Sequence, residues 1–150
     1  MKLLEIFKSP DNIQLDKKTL VILRWIAITG QLITINFVYF ILNFDFSFFY
    51  CNAVIFFGII TNIFLQFREK KNLLSDFSST IYLAYDLTQL AVLIFFTGGI
   101  TNPFILLLVI PAVVSSTFLS LRSTINLAFI TATFLLVLTI YYFPLPSSDK

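Results

Sequence analysis

The sequence predicts an all-α membrane protein, a bundle of helices that crosses the bilayer several times. Hydrophobic residues make up 58% of the 150-residue chain and charged residues only 12%. An ordinary globular domain has about 45–50% apolar and about 25% charged residues. Five apolar runs in this chain are close to the roughly 17–25 residues that a helix needs to cross a bilayer. Because a chain in hydrocarbon must satisfy its own backbone hydrogen bonds, each run is predicted to be helical.

The five predicted spans are joined by short connections, so neighbouring spans are expected to run antiparallel. In chain order they are 20–42, 48–67, 80–97, 104–121 and 124–143. Residues 1–19 are expected to be a cytoplasmic segment, and they lack the features of a cleavable signal peptide because Ser9-Pro10-Asp11 interrupts them. Residues 20–143 form the predicted transmembrane domain. Residues 144–150 are expected to lie in a periplasmic loop, with a further span beyond residue 150.

Lysine and arginine residues alternate between successive connections. They occur before or at the opening of the first span, after the second span and after the fourth, whereas the connections 43–47 and 98–103 have none. By the positive-inside rule, the N-terminus is predicted to be cytoplasmic and 98–103 to face the periplasm. The residues concerned are Lys2, Lys8, Lys17, Lys18, Arg24, Arg68, Lys70, Lys71 and Arg122.

Two charged residues lie inside predicted spans, Arg24 in the first and Asp86 in the third. Both are a few residues from the predicted cytoplasmic end, at similar depth for a rise of about 1.5 Å per residue. They are candidates for an ion pair that joins the two spans. The alternative is that Arg24 reaches the interface while a neutral Asp86 bonds Tyr82 or a hydroxyl. Ionisable residues in a membrane usually have a function, and for Asp86 a coupling role is expected.

Amide side chains in three of the spans are candidates for hydrogen bonds between helices. Gln89 follows Asp86 by three residues, on the same helical face, and Gln31 lies mid-span after Gly30, where two backbones can approach closely. We expect a bond between these two amides as structural glue. Asn36 and Asn62 are interpreted in the same way.

The connection between the third and fourth spans is the most unusual segment, Gly98-Gly99-Ile100-Thr101-Asn102-Pro103-Phe104. The two glycines permit positive φ and a close approach to the backbone. Pro103 removes a donor and biases the residue before it away from helix. Free backbone groups, two polar side chains and an aromatic ring are thus expected together at the edge of the lipid phase.

The fourth and fifth spans contain features of helix bending and anchoring. Pro111 is expected to kink the fourth span and to free a carbonyl near Leu107, with Ser115, Ser116 and Thr117 able to bond backbone groups. This kink is either a hinge beside a ligand site or merely tolerated. Trp25, Tyr141 and Tyr142 are predicted to be interfacial anchors.

Composition excludes several functions for these residues. The chain has no histidine, so it offers no His ligand for haem or metal and no histidine phosphoacceptor. The single cysteine, Cys51, excludes an internal disulfide. The net charge of +2 is too small to indicate nucleic-acid binding. No catalysis by these residues alone is expected.

The seven residues 98–104 resemble the GGxxNPF heptapeptide of the RegB/PrrB/ActS family of redox-sensing histidine kinases. The run 84–90 is similar to that family's third transmembrane helix and 23–31 to its first, and Pro111 also fits. The resemblance implies a six-span sensor of the bacterial inner membrane that binds quinone near the heptapeptide. It further implies homodimers in membrane lipid, control of a cytoplasmic kinase absent from this chain, and a response-regulator partner.

The implied ligand is ubiquinone or menaquinone, without metal or haem. Asn102 offers amide donors, Thr97 and Thr101 offer hydroxyls, and Gly98 and Gly99 offer backbone N–H groups. Pro103 holds Asn102, and Phe104 with Phe95 and Phe96 is expected to flank the quinone ring. The alternative is a tight turn in which Asn102 and Thr101 cap the next helix. Rival functions are a small multi-pass protein of lipid or quinone metabolism, and an assembly factor.

Overall fold

The computed structural model describes residues 14–68, 70 and 72–144. The described residues form five α-helices, α1 (Lys17–Phe40), α2 (Phe48–Arg68), α3 (Asp76–Phe96), α4 (Ile110–Phe118) and α5 (Leu121–Ile140). Two 3₁₀ segments, Gly99–Thr101 and Pro103–Val109, join α3 to α4. The described part of the chain contains no strand, only an isolated bridge between Asp16 and Leu73. The all-α prediction is therefore confirmed. The predictions for residues 1–13, Lys71 and 145–150 fall outside the described residues.

Four of the described helices, α1, α2, α3 and α5, are long and apolar enough to cross a membrane. The fourth predicted span, 104–121, is present as a shorter apolar helix, Pro103–Phe118, in two geometries. Pro103–Val109 is a 3₁₀ segment, and α4 has only 9 residues. A 3₁₀ helix rises by about 2.0 Å per residue, so the two pieces together extend about 27 Å, close to the roughly 30 Å of a hydrocarbon core.

Pro111 explains where this segment changes from 3₁₀ to α geometry. It lies in the first turn of α4, where a missing N–H is tolerated. The N–H of Ile110 donates to the carbonyl of Leu107, so the carbonyl that was expected to be free is occupied. The hydroxyls of Ser115 and Ser116 bond Ala112 and Val113, within their own helix. The prediction of a free carbonyl near Leu107 is therefore wrong, and the kink at Pro111 stays a prediction.

The helices pack as a hairpin, α1 with α2, beside a group formed by α3, α4 and α5. Helix α3 contacts α2 as well as α4 and α5. It is the most buried of the four membrane-length helices. Many large apolar side chains remain exposed on the outer faces, as expected for helices in contact with lipid. Among the described residues, α1 packs mainly on α2, and a cleft separates part of it from α3.

The helices α1, α3 and α5 begin at the same end of the bundle, and polar contacts join their starts. Lys17 donates its backbone N–H to the carbonyl of Asn72, and Leu74 donates to that of Leu15, which ties the start of α1 to the segment before α3. Asp76, the first residue of α3, accepts from the Ser120 N–H at 2.6 Å and from the Ser120 hydroxyl at 2.8 Å. The Ser123 hydroxyl donates to the same carboxylate, so α5 starts against α3.

Candidate functional site: the heptapeptide and the cleft beside α1

The heptapeptide, Gly98 to Phe104, is a compact turn at the end of α3. Gly98 and Gly99 have φ of 107° and 53°, so both occupy the left-handed region that was expected of them. The hydroxyl of Thr101 donates to the carbonyl of Gly98 at 2.7 Å. The sequence thus folds here as its turn chemistry predicts, and the polar groups face inward to the turn itself.

Asn102 is the centre of this turn. Its Nδ2 donates to the carbonyl of Thr97 at 3.0 Å and to the hydroxyl of Thr97 at 2.7 Å, and its Oδ1 accepts from the N–H of Phe104 at 2.8 Å. Both amide hydrogens are therefore used within the chain. In this conformation Asn102 is a cap that fixes Phe104, and it has no hydrogen left to donate to a ligand.

The close approach permitted by Gly99 is made by another part of the same chain. A Cβ atom on Gly99 would collide with the Tyr142 side chain, which follows α5. The N–H of Phe143 donates to the carbonyl of Phe95, and the Phe143 ring stacks on Phe96 at 5.7 Å between centroids. Tyr142 was expected at the membrane interface as an anchor, and its contact with Gly99 was not predicted.

A large apolar cleft of about 1010 Å³ separates α1 from α3, the Pro103–Val109 segment and the start of α4. Its rim includes exposed residues such as Ile33 and Phe104, so the cleft opens on the outer surface of the bundle. Most of its wall is aliphatic, with polar side chains at Arg24, Gln31, Thr34, Asp86, Gln89, Thr97 and Asn102.

The cleft brings together most, but not all, of the residues singled out from the sequence. Thr97, Asn102, Pro103 and Phe104 form the part of its wall that belongs to the heptapeptide and the end of α3. Pro111 lines it as well. The wall does not include Gly98, Gly99, Thr101, Phe95 or Phe96. The two phenylalanines expected to flank a ligand ring pack instead with Phe143.

Arg24 and Asp86 form an ion pair across the cleft. Arg24 Nε lies 2.9 Å from Asp86 Oδ1, although the contact is not aligned as a hydrogen bond. The Arg24 side chain is only 3% exposed, and its Nη2 donates to the hydroxyl of Thr61 at 2.8 Å. The guanidinium also lies over the rings of Tyr82 and Tyr85. The expected contact between these charges is thus present, and its role in coupling stays a prediction.

The second polar contact across the cleft joins Gln31 and Gln89. Gln89 Nε2 donates to Gln31 Oε1 at 2.9 Å, as the sequence suggested. The expectation for Gly30 is wrong, because a Cβ there would meet nothing within 4 Å. The glycine that permits a close approach is Gly58 of α2, where a Cβ would lie 2.5 to 2.9 Å from the Gln89 amide atoms. Nothing in the sequence marks Gly58, since the contact depends on the packing of α2 on α3.

The remaining intramembrane amides behave differently from each other. Asn62 of α2 donates to the carbonyl of Val21 in α1 at 3.3 Å, which confirms its interpretation as glue between helices. Asn36 donates to the carbonyl of Leu32 in its own helix, so that interpretation was wrong for Asn36. Among the described residues there is no group of three or more Cys, Asp or Glu residues that could hold a metal ion.

Comparison of the sequence with known proteins identifies the family of the chain. Residues 19–149 match the six-span PilS-like transmembrane domain. The chain belongs to the PilS-like transmembrane domain family. It is also 35% identical over 133 residues to the sensor histidine kinase RegB of Cereibacter sphaeroides, a match that covers 88% of this chain and 29% of that protein. The predicted resemblance to a RegB-like sensor transmembrane domain is confirmed. The chain spans less than a third of the length of this relative, and no solved structure matches it.

Proposed function

We propose that this PilS-like domain is the membrane sensor portion of a redox-responsive histidine kinase and that it binds quinone in the cleft beside α1. The observation that carries this proposal is the cleft itself. It is apolar, opens toward lipid, has few polar groups on its wall and includes the heptapeptide residues Thr97, Asn102, Pro103 and Phe104. A ligand site for a small lipid-soluble molecule has this composition.

The heptapeptide supports the proposal in a way that differs from the role suggested by its sequence. Asn102 accepts the N–H of Phe104 and holds the turn closed through Thr97. Phe104 is 44% exposed and lines the cleft, so its ring offers a flat surface to a quinone ring or to the start of an isoprenoid tail. The turn is therefore proposed to position an aromatic wall, while polar recognition comes from other residues.

The polar pairs that cross the cleft provide a route from ligand to helix packing. Arg24 with Asp86 and Gln31 with Gln89 both join α1 to α3. A quinone that binds between these helices changes their packing only if it has different affinities for two arrangements. The N-terminus of the chain is proposed to be cytoplasmic. We further propose that the kinase lies in a longer protein of which this chain is the sensor part, that this protein is a homodimer, and that its partner is a response regulator.

The experiment is direct binding of a short-chain ubiquinone to the purified chain in nanodiscs. Ala27 lines the cleft, and Ala132 lies on the exposed face of α5 away from it. Ala27→Phe is expected to weaken binding about tenfold or more, equivalent to about 1.4 kcal/mol, because the ring fills the cleft. Ala132→Phe adds the same ring elsewhere and should bind as the parent does. Equal affinity in both variants would exclude the cleft as the quinone site.

A further inference from the structure

The amide pair in the middle of the cleft has unused hydrogen-bonding capacity. Gln89 Nε2 donates to Gln31 Oε1, which leaves the Nε2 group of Gln31 with two N–H donors. Within the part of the chain that the structure describes, this Nε2 has no acceptor. Both glutamines line the cleft. A donor that points into an apolar cavity is costly unless something there accepts its hydrogen.

Gly58 of α2 fixes the position of this donor. Gln89 is 7% exposed, and its amide lies where a Cβ on Gly58 would be, at 2.5 to 2.9 Å. The absence of a side chain at Gly58 therefore lets Gln89 lie against the backbone of α2 while it reaches Gln31. In this way α2 and α3 hold an amide of α1 in one orientation within the cleft.

Arg24 also lines the cleft, but its guanidinium is held and enclosed by protein. Its Nε and Nη2 are engaged by Asp86 and Thr61. Its Nη1 is buried and has no hydrogen-bond partner among the described residues. Because Nη1 is enclosed by protein, it is closed to a ligand, and Gln31 Nε2 is the donor in the cleft that a ligand's carbonyl oxygen would satisfy.

We infer that the head group of the cleft's ligand lies at the Gln31–Gln89 pair, with Gln31 Nε2 donating to a ring carbonyl. The inference rests on the proposed function, and it moves the polar contact away from Asn102. Gln89 precedes Thr97 by eight residues, or about 12 Å along a helix. A head group at the amide pair therefore leaves the aromatic wall at Phe104 for the tail, which leaves the cleft into lipid beside it.

The test measures the affinity of decylubiquinone for purified variants in nanodiscs, with helicity checked by circular dichroism. Gln31→Leu keeps an apolar side chain of similar size and removes the donor, so affinity should fall about threefold to tenfold. Asn36→Leu is the matched control, because Asn36 is an amide on the same helix that does not line the cleft. It should bind as the parent does. Gly58→Ala should also weaken binding, because it displaces Gln89 and leaves every polar group present.

The outcomes distinguish a wrong position of the head group from a wrong quinone site. If folded Gln31→Leu and Gly58→Ala bind as tightly as the parent while Ala27→Phe has lost binding, the cleft is the quinone site and the position of the head group is wrong. If the parent does not bind, or Ala27→Phe binds normally, both proposals are wrong. If Gln31→Leu does not fold, Gln31→Asn replaces it. That variant keeps an amide and draws it back by one methylene, and unchanged affinity there would equally overturn the inference.

Discussion

At the scale of single residues, Asn102 shows how a polar side chain can be prominent in a sequence and still serve the fold. Its amide makes three hydrogen bonds inside the turn, all between 2.7 and 3.0 Å. The nearby proline and glycines made it a plausible ligand donor, but the same local chemistry also makes it a good cap. The partner of an amide depends on which acceptor comes nearest after folding.

Asn102→Ala is expected to destabilise the domain by about 1–3 kcal/mol, because it removes bonds of a buried side chain. Thermal unfolding of the purified chain in detergent measures this change. Asn36→Ala, which loses one bond within its own helix, serves as the control and should have a smaller effect. An unchanged melting temperature in Asn102→Ala would show that the turn does not depend on this cap.

The Arg24–Asp86 pair leads to a prediction about coupling between two charges. Asp86→Asn and Arg24→Gln are each expected to destabilise the domain, because each leaves the other charge in a poor solvent. The double variant should cost less than the sum of the two by about 0.5–3 kcal/mol. Unfolding of the three variants in urea or by heat provides the cycle. Additive effects would mean that the contact contributes no interaction energy.

Contacts between residues were predicted correctly from the sequence where the depth of each residue along its span was enough to pair them. Arg24 with Asp86 and Gln31 with Gln89 could be paired because equal counts along antiparallel or parallel helices place polar groups at one level of the membrane. Gly58 and Tyr142 could not be found in this way. Their contacts depend on the rotation of α2 and α3 about their axes and on the path of the chain after α5. Neither can be predicted from the local sequence.

At the scale of elements, the connection from α3 to α4 is held by the segment that follows α5. Gly99 has φ of 53° and lies under Tyr142, while Gly30 lies within α1 with open space around it. Gly99→Ala is expected to destabilise the domain by about 1–2 kcal/mol from backbone strain alone, with a further cost from the displaced Tyr142.

Gly30→Ala is the matched variant for this prediction and should change stability in the opposite direction. Alanine in a helix interior is favoured over glycine by roughly 0.5–1 kcal/mol, and here the added methyl meets no neighbour. Thermal unfolding of both variants checks the two signs. A stable Gly99→Ala protein would mean that the positive φ at this position is not required.

The fourth span shows what sequence predicts about an element and what it does not. The apolar length of 104–121 correctly indicated an apolar helical segment, which the structure has as Pro103–Phe118. The geometry within it is decided by Pro103 and Pro111, which lie eight residues apart and cannot both be in the interior of one regular helix. The 3₁₀ segment Pro103–Val109 between them was not predicted from the sequence.

At the scale of the whole molecule, the orientation in the membrane is the property to test first. The alternation of Lys and Arg predicts that Lys70 is cytoplasmic and Thr101 periplasmic. Both residues are exposed, so Lys70→Cys and Thr101→Cys can be labelled with a membrane-impermeant maleimide. In intact spheroplasts only the second should react, whereas both should react after lysis. The native Cys51 is fully buried and provides the background control. The reverse pattern would overturn the proposed orientation.

Polar contacts hold the starts of α1, α3 and α5 together at one end of the bundle. Backbone bonds join the start of α1 to the segment before α3, and Asp76 joins the starts of α3 and α5. Toward its other end α1 packs on α2, where Tyr39 stacks on Phe48. A change in the tilt of α1 about the shared end would alter the width of the cleft. The 24 residues of α1 extend about 36 Å, so a tilt of about 5° moves its tip by about 3 Å, comparable to the thickness of an aromatic ring.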